Sequence, residues 1–251
     1  MNVVIGTPIS RQTSYLIDKF LANQKEIQRG YPSSELVLAT AEADFVAELQ
    51  QLIDSSKLRA TVIHYAITKP AHARSSIWNI ASGREALRRY ALSQTEARYI
   101  LFLDADMIFE PSVIAVMERE IQGYDVVFSG YPLRQYGMGL AGAGCVMLSR
   151  STLEKLEFRC CEFKNGEVIF EDNVLEMDLF RLGSRVKKGF FLSITHYASA
   201  TESRRVTPHP VGPARRITNA AFVRYALIRA SITIKKNIPW RMKVLLNRFV
   251  I

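Results

Sequence analysis

The first 130 residues alternate short apolar segments with amphipathic ones, and this alternation restricts the fold more than any other feature of the chain. Five apolar segments have the length of buried strands: 3–6, 35–40, 60–65, 99–104 and 124–129. Four segments with helical spacing lie between them: 13–28, 44–53, 75–92 and 111–121. This order predicts an α/β fold with a mostly parallel central sheet and helices on both faces. Since no Gly-x-Gly-x-x-Gly follows the first strand, the pattern does not indicate a dinucleotide site.

The fourth strand ends in two carboxylates that are one residue apart. Five apolar residues, 99–103, run directly into Asp104, Ala105 and Asp106. Alternate side chains of an extended chain point the same way, so Asp104 and Asp106 can converge on one point. Buried carboxylates need a partner charge or a metal ion, and two oxygen ligands suit Mg²⁺ or Mn²⁺ shared with a phosphate. The alternative for this segment alone is a strand followed by a solvated acidic turn.

A second acidic pair, Glu171 and Asp172, begins a predicted helix that Gly183 ends. Free backbone amides stabilise carboxylates in a first helical turn, so helix capping is one interpretation. An adjacent pair of carboxylates beside an acceptor hydroxyl is also an arrangement for general-base catalysis. The apolar face of this helix is predicted to comprise Val174, Leu175, Leu179 and Leu182.

Two further segments flank these carboxylates in the sequence. Residues 131–144 form a predicted loop with four glycines, which lets the backbone approach a ligand closely; a flexible connection is the alternative. A strand at 145–148 follows, and Ser151 is predicted as the N-cap of the next helix. An apolar strand at 189–195 ends at His196, which is either structural or a third metal ligand.

The three cysteines, Cys145, Cys160 and Cys161, are odd in number and include an adjacent pair. This pattern argues against a disulfide framework and favours a reducing compartment, with all three as packing residues. The N-terminal residues indicate a strand instead of a targeting segment. No run of roughly 18 uncharged apolar residues occurs, so a membrane-spanning helix is not expected.

Charge divides the chain in two. Glu202 is the last acidic residue, so residues 203–251 carry a net charge of +11, the whole chain +9 and residues 1–202 the difference, −2. We therefore predict a catalytic domain at 1–202 and a basic tail at 203–251. A cationic tail indicates an anionic partner.

The tail is predicted as a proline-containing linker, 203–216, followed by helices at 218–234 and 239–251. Basic residues border the apolar arc of the second helix, and Trp240 stands at its start, which suits an anionic membrane interface. Nucleic acid is not expected, because the aromatic residues are not spaced for base stacking. The alternative is a helix docked on the catalytic domain or joining two copies in a homo-oligomer. The apolar arc comprises Met242, Leu245, Leu246 and Phe249.

Four of these features, in this order, resemble the GT-A class of nucleotide-sugar glycosyltransferases, most closely the family 2 group. They are the strand into Asp104-Ala105-Asp106, the loop ending Ala141-Gly142-Ala143-Gly144, the phrase Phe170-Glu171-Asp172, and the strand-terminal His196. The resemblance covers residues 2–198. It implies a GT-A, Rossmann-like fold and an inverting transfer of a sugar from a UDP- or GDP-linked donor to a hydroxyl.

The resemblance also implies roles for individual residues. Asp172 would be the general base, with Glu171 as the alternative. Mn²⁺ or Mg²⁺ would be held by Asp104, Asp106 and His196. The donor would be bound by a larger set of residues: Thr7, Pro8, Glu42, Arg84, Asp104, Ala105, Gly142 and Gly144.

The chain departs from the family pattern in three places. The Arg-Asn that the family carries before the Asp-x-Asp strand appears only as Gly83-Arg84-Glu85, which makes Arg84 a candidate phosphate or base contact. The second strand ends Ala-Thr-Ala-Glu-Ala-Asp where the family has Asp-Asp-Gly-Ser, which weakens the case for base recognition by Glu42 or Asp44. The Gln-x-x-Arg-Trp phrase of processive synthases is absent. With the basic tail, the pattern predicts a cytoplasmic enzyme, peripherally associated with the cytoplasmic membrane face, that acts on a glycan or lipid-linked acceptor.

The sequence leaves three alternatives to a glycosyltransferase. A phosphatase of the haloacid-dehalogenase type would have Thr or Val where Ile108 stands. A nucleotidyltransferase would need a glycine-rich basic loop after the first strand, which residues 6–12 offer only weakly. A non-catalytic membrane-binding adaptor would leave the carboxylates unexplained. Release of free nucleoside diphosphate separates the transferase from all three.

Overall fold

A computed structural model describes residues 2–133, 138–163 and 168–209. Both predicted tail helices lie outside the described residues, and so does the end of the predicted linker. No helix in the described ranges is long and apolar enough to cross a membrane.

The described residues form a sequence of strands and helices that follows the predicted alternation. The strands are β1 (Val3–Pro8), β2 (Ser34–Thr40), β3 (Ala60–His64), β4 (Tyr99–Leu103), β5 (Met107–Phe109), β6 (Val126–Ser129), β7 (Tyr131–Pro132), β8 (Met138–Gly139), β9 (Cys145–Ser149), β10 (Cys161–Glu162), β11 (Val168–Ile169), β12 (Val186–Gly189), β13 (Ile194–Tyr197) and β14 (Ser203–Val206). The helices are α1 (Ile17–Gly30), α2 (Ala43–Ser56), α3 (Ile77–Gln94), α4 (Val113–Glu120), α5 (Arg150–Leu153) and α6 (Glu171–Arg181), and a 3₁₀ helix (Arg11–Leu16) precedes α1.

Seven strands form the central sheet, in the order β12-β6-β9-β4-β1-β2-β3. They pair in parallel except for β9, which lies antiparallel between β4 and β6. On one face, Val3 and Ile5 pack in a core with Phe20 of α1 and Phe45 of α2. On the other face, Gly6 lies against Leu87 of α3. The predicted mostly parallel sheet with helices on both faces is therefore confirmed.

A small sheet, β14-β13-β5, stands beside the central one, and its existence corrects two expectations. The predicted single strand at 189–195 is two strands, because β12 pairs with β6 whereas β13 pairs with β5. The first residues of the predicted linker, Ser203–Val206, form β14 and pair with β13.

Two helix starts and one residue of a predicted apolar face differ from the expectations, whereas Gly183 follows the end of α6 in a left-handed conformation, as predicted. Ser112 is the N-cap of α4, so the helix begins after the predicted first turn at Pro111. Ser149 caps α5 instead of Ser151, because its side chain accepts a hydrogen bond from the backbone amide of Thr152. Leu182 is 43% exposed, since it lies beyond the last residue of α6.

Candidate active site

A cleft of about 480 Å³ lies at the carboxyl edge of the central sheet. Ligands bind at this edge in open α/β sheets, because the loops that follow parallel strands meet there. The cleft is lined from β1 by Pro8, from the end of β2 by Glu42, and from the end of β4 by residues 104–106. Helix α3 contributes Arg84, and the start of α6 contributes Glu171 and Asp172.

Arg84 joins the two acidic motifs that the sequence singled out. Its side chain is only 2% exposed; Nη2 donates to Asp104 Oδ1 over 2.6 Å, and Nη1 donates to Glu171. Burial alone would lower the pKa of Arg84, but Asp104 and Glu171 outweigh that effect and raise it. Arg84 is therefore a charged bridge between the end of β4 and the start of α6.

Burial and Arg84 have opposite effects on the pKa values of the two carboxylates that Arg84 contacts. Loss of water contact raises the pKa of Asp104; Arg84 opposes this shift and the neighbouring Asp106 adds to it. Burial likewise raises the pKa of Glu171, and Arg84 again opposes the shift. The same guanidinium therefore stabilises the ionised form of both acids.

Asp106 and His196 meet because β5 pairs with β13, which sets His196 opposite Met107. His196 Nε2 lies 3.2 Å from Asp106 Oδ2, and His196 Nδ1 lies 2.5 Å from the carbonyl oxygen of Pro132. A carbonyl only accepts, so Nδ1 carries the hydrogen and a neutral ring presents the lone pair of Nε2 to the carboxylate. That arrangement requires a proton or another cation at Nε2.

The predicted ligand set of Asp104, Asp106 and His196 is only partly brought together. All three line the cleft. They do not form a three-residue group able to hold a metal ion, and no other group of His, Cys, Asp or Glu in the described ranges does so. The carboxylate of Asp104 is bound to Arg84, which leaves Asp106 and His196 as the adjacent pair.

Asp172 lies in the first turn of α6 and keeps one oxygen available. Both hydrogen bonds that it accepts from described residues come from Asn173 and end on Oδ1, at 2.7 and 3.0 Å. Burial raises the pKa of Asp172, while the backbone amide of Asn173 opposes the shift. Glu171, by contrast, is buried and paired with Arg84.

Tyr131 is a cleft residue that the sequence reasoning missed. Its hydroxyl accepts a hydrogen bond from the backbone amide of Gly144 at 3.2 Å, and the carbonyl of Gly144 accepts one from the amide of Asp104 at 3.1 Å. The only local signal was an aromatic residue directly after a strand and ahead of the glycine-rich loop. Tyr65 and Asn79 also line the cleft without having been predicted.

The predicted donor-binding residues divide into two groups. Pro8, Glu42, Arg84, Asp104 and Ala105 line the cleft. Thr7 is completely buried, because alternation along β1 places it on the core side with Val3 and Ile5. Gly142 and Gly144 lie behind the lining, where they pack against the hydroxyl of Tyr131.

Gly144 leaves no room for a side chain. A Cβ at this position would lie 2.5 Å from Asp104 Oδ2 and 2.9 Å from the hydroxyl of Tyr131. We expect Gly144→Ala to displace Asp104 and lower turnover by roughly 100-fold, the effect typical of a 1 Å misplacement in an active site. The matched control is Gly30→Ala, because the nearest atom to a Cβ at Gly30 is 3.7 Å away. Initial rates of the sugar transfer that the sequence resemblance implies measure both variants; equal rates would show that Asp104 needs no fixed position.

No protein-family model matches the chain, and no curated protein matches it. Among solved structures, it is similar to the mannosyltransferase PcManGT from Pyrobaculum calidifontis in complex with GDP-Man and Mn²⁺, with a TM-score of 0.50 and 11% identity. The match covers 74% of this chain and 53% of the mannosyltransferase, so the chain spans about half of that protein. At this identity the similarity shows the fold, which is GT-A-like.

Two other solved structures are similar at lower TM-scores. The protein A197 from STIV has a TM-score of 0.45 and 14% identity, and the match covers 86% of this chain and 98% of A197. S. aureus TarS has a TM-score of 0.45 and 14% identity, with 61% of this chain and 29% of TarS covered.

Proposed function

We propose that the chain is a metal-dependent glycosyltransferase that moves a sugar from a nucleoside-diphosphate donor to a hydroxyl acceptor with inversion. The observation that carries this proposal is the Arg84 bridge. It holds Asp104, at the end of β4, and Glu171, beside Asp172, on one cleft. A transferase needs two such groups of residues, one for the donor diphosphate and one for the acceptor. The GT-A-like fold supports the same reading.

Asp106 and His196 fit a divalent cation as a pair. Their facing atoms are 3.2 Å apart, close to the separation of roughly 3 Å between neighbouring ligands of one Mg²⁺ or Mn²⁺ ion. Such ions are commonly held by one or two protein groups and completed by substrate phosphates. The hydrogen bond that Nδ1 donates to the carbonyl oxygen of Pro132 fixes the ring for ligation by Nε2. A bound cation would neutralise charge on the departing diphosphate.

Asp172 is the better of the two candidate bases. Glu171 is committed to Arg84, whereas the described hydrogen bonds of Asp172 leave Oδ2 open. Asp172 takes the proton of the acceptor hydroxyl while the hydroxyl oxygen bonds to the anomeric carbon. The bond from that carbon to the diphosphate breaks at the same time, giving the glycoside and a nucleoside diphosphate.

Arg84 has a different role from the phosphate or base contact that the sequence suggested. Both of its Nη groups are engaged by carboxylates, so it acts as a positioning residue for Asp104 and Glu171. The nucleotidyltransferase alternative gains no support, because Arg11, the first basic residue after β1, is paired with Asp44 and Glu48.

Removal of the cation ligands tests the proposal. We expect Asp106→Asn to abolish Mn²⁺-dependent donor binding without unfolding the protein, and His196→Ala to weaken it less. Thermal shift with UDP- and GDP-sugars, with and without Mn²⁺, measures this, because a ligand at 100 times its dissociation constant stabilises by about 2.7 kcal/mol. Asp54→Asn, the same change on the exposed face of α2, is the control and should leave the shift intact. Full turnover in chelator-treated protein would contradict metal dependence.

We also propose that the enzyme acts at a membrane surface. Residues 210–251 contain nine Lys and Arg and no Asp or Glu, which favours an anionic membrane surface on the cytoplasmic side. A membrane-bound enzyme would meet a lipid-linked or membrane-proximal glycan as its acceptor.

A further inference from the structure

Exposed apolar side chains lie among the residues that line the cleft or on segments next to them. Ile80 and Leu133 line the cleft and are 44% and 41% exposed. Phe170, at 56%, directly precedes Glu171 in the chain. Met138 and Leu140, in and just after β8, follow Leu133 along the same hairpin. We refer to these five residues, Ile80, Leu133, Met138, Leu140 and Phe170, as the apolar rim.

The hairpin side of the rim is held by contacts of its own. Pro132 pairs with Met138 across the two strands, and Leu133 packs so closely on Gly139 that a Cβ there would lie 2.9 Å from Leu133 Cδ2. Strand pairing and side-chain packing therefore fix Leu133 and Met138 on this side of the rim.

Phe170 has no local reason to be apolar. It is the N-cap of α6, a position where Ser, Thr, Asp and Asn are preferred because their side chains accept a hydrogen bond from the helix. A phenylalanine here provides no such bond and exposes its ring to water. An exposed ring directly before Glu171, a lining residue of the cleft, favours a hydrocarbon partner, because the donor and the acidic cleft floor are polar.

Charge identifies which partner fits. The described chain ends at His209, whose backbone amide donates to the carbonyl of Phe190 at 3.2 Å. The ring of Phe190 packs against Gly130, next to Tyr131 in the cleft. The residues that follow His209 in the chain include nine Lys and Arg and no Asp or Glu. Cationic and apolar groups together suit an anionic bilayer.

We propose that the apolar rim inserts into the interfacial region of an anionic lipid bilayer and turns the cleft toward it. This proposal rests on the proposed function and specifies its acceptor as a hydroxyl presented by a lipid at headgroup level. Asp172, two residues beyond Phe170, then faces that hydroxyl. The apolar rim belongs to the catalytic domain, and its membrane binding adds to the binding that we expect of the basic tail.

The test uses the full chain and phosphatidylcholine vesicles with and without phosphatidylglycerol. The rim variant carries Met138→Ser, Leu140→Ser and Phe170→Ser, and the last change also supplies a favourable N-cap. The control carries Phe180→Ser and Leu182→Ser, which are exposed apolar residues at the other end of α6. We expect the rim variant to bind anionic vesicles at least roughly tenfold more weakly, since each buried CH₂ adds to membrane affinity, and the control to bind within about twofold of wild type.

The salt dependence of vesicle binding distinguishes the contribution of the rim from that of the basic tail. High salt weakens binding by the basic segment, so the rim variant should lose its residual binding while wild type keeps part of its own. Equal vesicle binding by wild type and the rim variant would overturn the proposal, as would no binding by wild type. A rim variant that changes from dimer to monomer on gel filtration, with vesicle binding unchanged, would assign the rim to a second copy of the chain and also overturn it. Donor binding without vesicles is scored separately by thermal shift, and its failure in wild type would overturn the proposed function.

Discussion

Asp172→Asn is expected to lower kcat by about 10²–10⁴, the range for loss of a general base, while nucleotide affinity stays near wild type. The amide keeps the size of the side chain and accepts the same hydrogen bonds from Asn173, but it cannot take a proton from the acceptor hydroxyl. Helix capping alone would give a different result, namely a loss of up to about 1 kcal/mol of stability with activity retained. Turnover kinetics and thermal unfolding of one preparation separate the two.

The pH dependence of turnover is an independent test of Asp172 as the general base. Because burial raises the pKa of Asp172, the activity of wild type should fall as the pH drops through a value above the ordinary range for Asp. This acidic limb should be missing from the residual activity of Asp172→Asn. Glu171→Gln is the companion variant; if it alone abolished the limb, the base would be Glu171.

Arg84→Met is expected to cost about 3–5 kcal/mol of unfolding free energy, as for a buried ion pair that loses one partner. The substitution leaves Asp104 and Glu171 without their common counter-charge in a buried site. Urea unfolding measures the effect. Arg89→Met is the matched control, because Arg89 is on the same helix and its side chain is 71% exposed, so its loss should cost less than about 0.5 kcal/mol.

The sign of the pH effect distinguishes this explanation from simple loss of packing. Without Arg84 the pKa values of Asp104 and Glu171 should rise further, so the folded variant binds more protons than its unfolded chain and loses stability as pH increases. The deficit of Arg84→Met should therefore shrink in acid, and a deficit independent of pH would contradict the ion-pair account. Arg84→Lys keeps the charge but cannot bridge two carboxylates, so it should fold and turn over slowly.

The sequence predicted the central sheet and the acidic motifs because both depend on local patterns. The periods of strands and helices can be recognised from residues that are close in the sequence. Asp104 and Asp106 directly follow an apolar strand, and the carboxyl end of such a strand lies at the edge of the sheet where ligands bind. Thr7 could have been placed correctly by the same reasoning, since it shares its side of β1 with Val3 and Ile5.

The missed features are pairings between distant parts of the chain. Arg84 and Glu171 are 87 positions apart, and no local period shows that they meet. His196 reaches Asp106 only because β5 is a three-residue strand that pairs with β13, and a strand so short has too few residues to show alternation. Ser149 and Ser151 are both plausible caps, and the choice depends on where β9 ends.

The antiparallel direction of β9 has an evolutionary consequence. Because β9 runs against β4 and β6, it begins at the edge where they end, so the segment from Tyr131 to Gly144 both leaves and re-enters the sheet at the cleft. Its ends are joined by the bond between the Tyr131 hydroxyl and the Gly144 amide. Insertions and deletions between these two points leave the strand register untouched. In the proposed transferase, a change within this one loop would therefore alter the surface beside the acceptor, while Asp104, Asp106 and the sheet that holds them stay as they are.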